Sequence, residues 1–362
     1  MSGDRYLRYD PSIERPQPDE AAIIETIVAS IGRTSVASFN TYHHGIRQQH
    51  AKGAGYLRGE LTVRDGLPDH LRQGLFATAS RYPIIVRLST ALGAIKSDRI
   101  CAPRGMAIKV LGVSGPKALV DDNSANQDFL LVNHPSYVSD AKAYLSLQRD
   151  VERSLNTPDV VLRGLGIGAR VGVPLAEKIG IPVPLVLKGL SDHGDHPLGE
   201  TFHTEGALRF GAHVARLRAV PASEAVHRLT GQPCNDGDDI VLESVARFFR
   251  ENSADYDIQV QLCTDLQHTP IEDSSIDWPE DVSPPQTVGR ITIPSQIADS
   301  PARRSYADDC LSFDPWRCLA DHQPLGSIMR LRRDAYRMSR TLRHQQNKTP
   351  MIEPRDISEL PN

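Results

Sequence analysis

Cysteine is sparse in this sequence, with five residues in 362: Cys101, Cys234, Cys263, Cys310 and Cys318. They are scattered, odd in number and contain no C-x-x-C pair. This argues against a disulfide framework or a structural zinc site and leaves buried free thiols. Long apolar runs are missing too. The longest, IPVPLVL at 181–187, is far too short to cross a bilayer. The first twenty residues hold no apolar stretch of the kind a secretory signal needs. The expectation is a soluble, cytoplasmic chain without membrane insertion. Nor is there an excess of one charge: 41 Lys and Arg stand against 45 Asp and Glu, a formal net charge of -4. No global basic field exists to hold a polyanion, so nucleic acid is not an expected partner. No repeat at solenoid spacing is visible.

The chain is long enough to bury a sizeable core, and 40% hydrophobic with 24% charged residues is an ordinary globular balance. Residues 1–18 are polar and proline-bearing and read as an extended arm. Apolar residues at near-helical spacing predict a first helix over 19–32. Short β-prone segments follow at 56–63, 82–88, 106–111 and 128–132, separated by turn residues. Residues 138–190 read as helical, within an insertion reaching about 195. Strand texture returns at 207–220, 256–264 and 287–294, with an amphipathic helix at 238–251 and a last helix over 326–344. The pattern predicts an α+β fold: an antiparallel β-barrel with a helical insertion and C-terminal helices. One domain is expected to span 19–350, with a tail over 351–362.

Four stretches carry chemistry. The first, RQQHAKGAG at 47–55, sets His50 between an arginine and small residues that let a bulky group approach the backbone. The second is RLST at 87–90 with PRGMAIK at 103–109; strand alternation puts Arg87 and Ser89 on one face. The third is NQDFLLVNHP at 126–135, containing Asn126. The fourth is RRDAY at 332–336. On a helix its arginine and tyrosine, at i and i+4, share a face one turn apart, and Arg343 follows on that face. A phenol with pKa about 10 is a poor iron ligand at neutral pH, but a ferric ion and a neighbouring guanidinium both favour the phenolate.

Taken in this order, the four stretches resemble the catalases, which carry R-x-x-H-A-K-G-x-G, R-F-S-T, P-R-G-x-A-x-K, N-N-T-P-x-F-F-I-R-D-P and R-x-x-x-Y. The third match, anchored on Pro135, is the loosest: the proline after the family's asparagine is missing and Asp128 replaces it. The segments PIEDSSIDWPED (270–281), FDPWRCLADHQPLGSIMRLRRDAY (313–336) and RHQQN (343–347) are similar to those of short catalase-like haem proteins of bacteria and fungi. The resemblance implies a catalase-like barrel without the flavodoxin-like domain of the largest catalases. It implies non-covalent haem b, since no C-x-x-C-H motif exists, with Tyr336 as the iron ligand, a pairing known for catalases. Arg332 would steady Tyr336, and Arg47, Arg87 and Arg343 would hold the propionates. His50 would be the distal acid–base group, Ser89 its hydrogen-bond partner and Asn126 the group orienting peroxide. A homo-oligomer, dimer or tetramer, is also implied.

The expected activity is therefore peroxide consumption of the catalase or peroxidase type, with hydrogen peroxide or an organic hydroperoxide as oxidant and an organic reductant in the peroxidase case. Two other readings stand beside it: allene-oxide-synthase-like rearrangement of an organic hydroperoxide, and a haem-binding or sensing module with little turnover. Leu130 and Leu131 occupy positions where large catalases carry phenylalanine, which predicts a wider pocket. Other motifs fall away. The glycine-rich RGLGIGARVGV (163–173) is not G-x-G-x-x-G and lies in a helical stretch. DHGDH (192–196), with His203 nearby, reads as a polar loop, and no G-x-S-x-G nucleophile motif is present.

Overall fold

The β-prone segments pair largely in the order in which they occur. In the computed structural model, which describes residues 5–134, 136–155 and 157–362, β1 (Lys52–Val63), β2 (Arg81–Thr90), β3 (Arg104–Leu111) and β4 (Asn126–Val132) form an antiparallel meander. Pro135, the anchor of the asparagine match, lies outside the described residues. Six further strands follow: β5 (Phe202–Thr204), β6 (Ala207–Phe210), β7 (His213–Pro221), β8 (Ala254–Leu262), β9 (Gln286–Ile293) and β10 (Pro324–Leu325). β4 pairs with β5, β5 with β7, β7 with β8, β8 with β9, and β9 returns to β1. This closes an antiparallel barrel of eight strands, with β6 and β10 attached beside β7. Closure leaves no unpaired edge in the ring.

Alternation decides what each strand presents. On β2, Ile84, Val86 and Leu88 belong to the barrel core, together with Met106, Ile108 and Val110 from β3 and Ile258, Val260 and Ile291 from the far wall. Each such side chain, fully buried, contributes about 1.5–3 kcal/mol. The intervening Arg87 and Ser89 therefore face outward, between the barrel and its helices.

The helices are α1 (Glu20–Tyr42), α2 (Ala141–Ser154), α3 (Asp159–Lys178), α4 (Leu185–Leu190), α5 (Glu224–His227), α6 (Ile240–Phe249), α7 (Pro301–Ser305) and α8 (Ser327–Asn347). Val241, Val245 and Phe249, one turn apart on α6, pack into the barrel core. Ile24, Ile27 and Ile31 of α1, Ala141 of α2 and Leu331 of α8 form a second cluster.

The first helix does not stop at residue 32. It continues to Tyr42 and ends at His43, in the left-handed conformation with φ 51°. Gly32 costs about 1 kcal/mol of helix propensity. Burial of Thr34, Ser35 and Ser38 along the same face of α1 accompanies that continuation, because tertiary packing overrides propensity. The segment expected as a tail also packs. Leu360 is buried among Tyr56, Ile85, Leu111, Ala307 and Leu311. The arm is tied down from residue 5 onward: Tyr6 is buried, and the Leu7 amide donates to the Cys263 carbonyl.

Candidate functional site

Between the outer face of β1–β4 and helices α1, α2 and α8 lies a cavity of about 200 Å³. It brings together His50, Ser89, Arg47, Arg87, Arg332, Tyr336 and Arg343. The first two are separated from Arg332 by more than two hundred residues of chain.

On one wall, His50 sits just before β1 with φ 53°. That conformation is uncommon for a residue with a side chain and is held only where the surroundings over-determine it. Here the Arg87 Nη2 donates to the His50 carbonyl at 2.9 Å, and the His50 amide donates to the Ala91 carbonyl at 3.3 Å. The imidazole Nδ1 lies 3.0 Å from Ser89 Oγ. A Cβ on Gly105 would come within 2.6 Å of the ring, so the strand must carry glycine there. Burial, reinforced by the charges of Arg87 and Arg332, pulls the His50 pKa down to about 3. The imidazole is therefore neutral at ordinary pH and able to accept a proton.

On α8, Arg332 Nη2 donates to Tyr336 Oη at 2.7 Å, the one-turn pairing expected from the spacing. Arg332 Nη1 also meets Glu205 Oε2 at 2.6 Å. Burial pushes the Tyr336 phenol up, against the pull of Arg332 and with the help of Glu205. The guanidinium alone does not ionise this phenol. A cation at the oxygen would have to supply the rest.

At one end of the cavity three guanidiniums crowd together. Arg47 Nη1 meets Asp308 Oδ1 at 2.9 Å, and its Nη2 donates to the carbonyls of Ala307 at 2.6 Å and Leu311 at 2.9 Å. Arg343 donates to the carbonyls of Asp308 and Leu311. Arg87 is 3.9 Å from Asp308, and its buried Nε has no hydrogen-bond partner. Burial and the charges of Arg87 and Arg343 hold the Arg47 pKa well below its usual value; burial also brings Arg343 to about 10. Three largely buried guanidiniums against Asp308, with Asp309 also acting on Arg343, leave an excess of positive charge that favours an anion.

Asn126 does not join this group. Its Nδ2 donates to Pro354 O at 3.0 Å and Glu353 Oε2 at 3.2 Å, and it does not line the cavity. It shares a strand face with Leu130, which does line it, but four residues of strand put the two about 13 Å apart. Leu130 and Leu131 both border the cavity, yet Leu131 belongs to the barrel core and only Leu130 lies on the outer face. Glu205, Asp308 and the cavity-lining Gln49, His134, Tyr137 and Tyr144 were not found from the sequence. Asp308 sits in a π-helical turn, Tyr306–Cys310, whose position under β1 no local pattern announces.

No protein-family model matches the sequence, and no curated protein matches it significantly. Its fold, by contrast, has clear counterparts. Catalase A from Saccharomyces cerevisiae superimposes with a TM-score of 0.58 at 15% identity, over 90% of this chain and 70% of that one. A bacterial catalase gives 0.56 at 16% identity, over 88% and 62%. A fungal catalase gives 0.55 at 14% identity, over 90% and 68%. The chain thus spans between 62% and 70% of the length of these catalases. Its fold is catalase-like.

Proposed function

We propose that the cavity binds haem b and that the chain consumes peroxides with it. The observation that carries this reading is the set of buried cations. Arg47, Arg87 and Arg343 gather around Asp308, with Asp309 also acting on Arg343, and the remaining excess of positive charge suits a carboxylate-bearing ligand such as haem with its propionates. Tyr336, polarised by Arg332, is the proposed iron ligand, and ligation would displace its proton. When bound, haem supplies the redox chemistry that cleaves the O–O bond. The protein's part is proton transfer. With Nδ1–H donated to Ser89 Oγ, the other imidazole nitrogen of His50 keeps its lone pair. It accepts the peroxide proton and returns it to the leaving oxygen. Ser89 and the Arg87 contact to the His50 carbonyl fix the ring's orientation.

The position of Asn126 favours a second emphasis. With no side-chain amide from β4 at the cavity, and with the aliphatic Leu130, Leu131 and Val132 of β4 bordering it, the site suits organic hydroperoxides or peroxidase turnover better than dismutation. The test is to load the purified chain with hemin and record its visible spectrum. Oxygen release from hydrogen peroxide is then compared with consumption of cumene hydroperoxide. A chain that takes up no hemin overturns the reading. In Leu130→Phe the organic-to-hydrogen-peroxide ratio is expected to fall several-fold; an unchanged ratio removes Leu130 from the substrate wall.

A further inference from the structure

Helix α3 buries Leu162, Gly166, Ala169 and Val173 against the protein and leaves the rest of its surface open. Of the large hydrophobic side chains exposed among the described residues, eight fall within 160–181, including Val160 at 77% and Val171 at 74%. Six of them lie on α3 itself and two just beyond its end. A soluble monomer ordinarily shows no single patch beyond roughly 300–600 Å², and a partner in a standard interface contributes about 800 Å².

The order of residues on this surface is symmetric. Counting outward from Gly168, Leu165 is matched by Val171, Gly164 by Gly172 and Val161 by Leu175. At 100° per residue these seven share one face of α3. Arg170 and Glu177 lie off that face and are engaged elsewhere. Arg170 Nη2 meets Cys101 Sγ at 2.6 Å, and Glu177 meets Lys188 at 2.7 Å. Among the described residues nothing packs on the glycines of this face. A Cβ on Gly164, Gly168 or Gly172 would meet nothing within 4 Å, whereas one on Gly166 would press on the Leu190 carbonyl of α4 at 3.1 Å. Interior helical glycine costs stability relative to alanine. Bare backbone gains nothing against fluid acyl chains, but it lets a second helix approach closely.

We propose that α3 packs antiparallel on α3 of a second copy of this chain, about a two-fold axis at Gly168. A two-fold contact uses the same patch twice, and in an antiparallel pair centred on Gly168 the symmetric order brings Gly164 of one copy level with Gly172 of the other and Val161 level with Leu175. The side chains flanking each glycine then fill the groove above the glycines of the other copy, and the opposed helix dipoles add to the fit.

The full chain should sediment as a dimer or a multiple of one. Val171→Asp with Leu175→Asp should halve that mass while leaving the far-UV circular dichroism unchanged, since both side chains are exposed. Under mild oxidation Gly168→Cys should give a dimer-sized crosslink absent from the parent chain. Val160→Cys should not, because its two copies lie about 24 Å apart along the antiparallel pair. Val161→Cys combined with Leu175→Cys should crosslink where neither does alone. A monomer at all concentrations overturns the proposal, as does an oligomer indifferent to the aspartates. Equal crosslinking at 160 and 168 would mean a parallel pair. A monomer that pellets with phosphatidylglycerol vesicles would mean that a membrane, not a second copy, covers this face.

Discussion

His50 and Tyr336 line one cavity but depend on different neighbours, and their substitutions should separate. Tyr336→Phe removes the proposed iron ligand and leaves Arg332 paired with Glu205, at 2.6 Å. Its Soret-to-280 nm ratio after hemin loading should collapse; a parental spectrum would remove Tyr336 from the iron. His50→Ala should load hemin normally yet react with peroxide about 10²–10⁴-fold more slowly, the contribution of a positioned acid–base group. Asn126→Ala is the control, because that amide is bonded to Glu353 and Pro354. Stopped-flow traces in which Asn126→Ala is as slow as His50→Ala would place the asparagine back in the chemistry. With the His50 pKa at about 3, the parent's peroxide reaction should be flat from neutrality down to about pH 4.

At the scale of elements, the last segment of the chain is tied into the barrel by buried charge. Lys109, fully buried on β3, bridges Asp128 at 2.7 Å and Glu353 at 2.7 Å, and Arg317 meets the same two carboxylates at 2.8 Å. Burial works against ionisation of Glu353, yet Lys109 and Arg317 hold it at about 2. Glu353→Ala leaves two buried cations sharing Asp128 and frees the Asn126 amide from one partner. It should cost about 3–5 kcal/mol, the range for breaking a buried ion pair, read as a lower urea midpoint with unchanged slope. A loss under 1 kcal/mol would mean that water replaces the carboxylate. The same segment carries Leu360 into the cluster around Tyr56 and Ala307, next to the turn that presents Asp308 to Arg47. Loosening it should also speed loss of hemin from the hemin-loaded chain.

Over the whole molecule, five histidines are held neutral by burial: His50 at about 3, and His196, His203, His322 and His344 at about 4. Each has a folded pKa below its unfolded value near 6.5, so the unfolded chain binds more protons across the interval between them. Stability is complete above about pH 6.5 and falls as pH drops toward 4. Glu200, raised to about 7 by burial and the neighbouring Asp192, acts in the opposite sense: its contribution is present in acid and fades as pH rises through 7. Asp314, raised by burial, acts in the same sense as Glu200; five imidazoles against these two carboxyls predict a net loss, seen as a melting temperature that declines from pH 7 to 4.5. A flat profile would mean that these imidazoles are hydrated.

The sequence by itself determined what one turn of helix or one strand period can reach. Arg332 and Tyr336 are four residues apart on α8 and hydrogen-bond as their spacing requires. Arg87 and Ser89 share the outer face of β2 because strands alternate. Seven of the eight barrel strands were readable for the same reason, and β5, three residues long, was not. Only the tertiary structure decided the rest. It brought Glu205 to Arg332 and Asp308 to Arg47, and it carried α1 past Gly32 to Tyr42. It also sent Asn126 to Glu353, across 227 residues, instead of to the cavity. Short-range geometry is fixed by the backbone's own periods. Partners a hundred residues apart are chosen by which buried charges and apolar faces the closed barrel leaves to be matched.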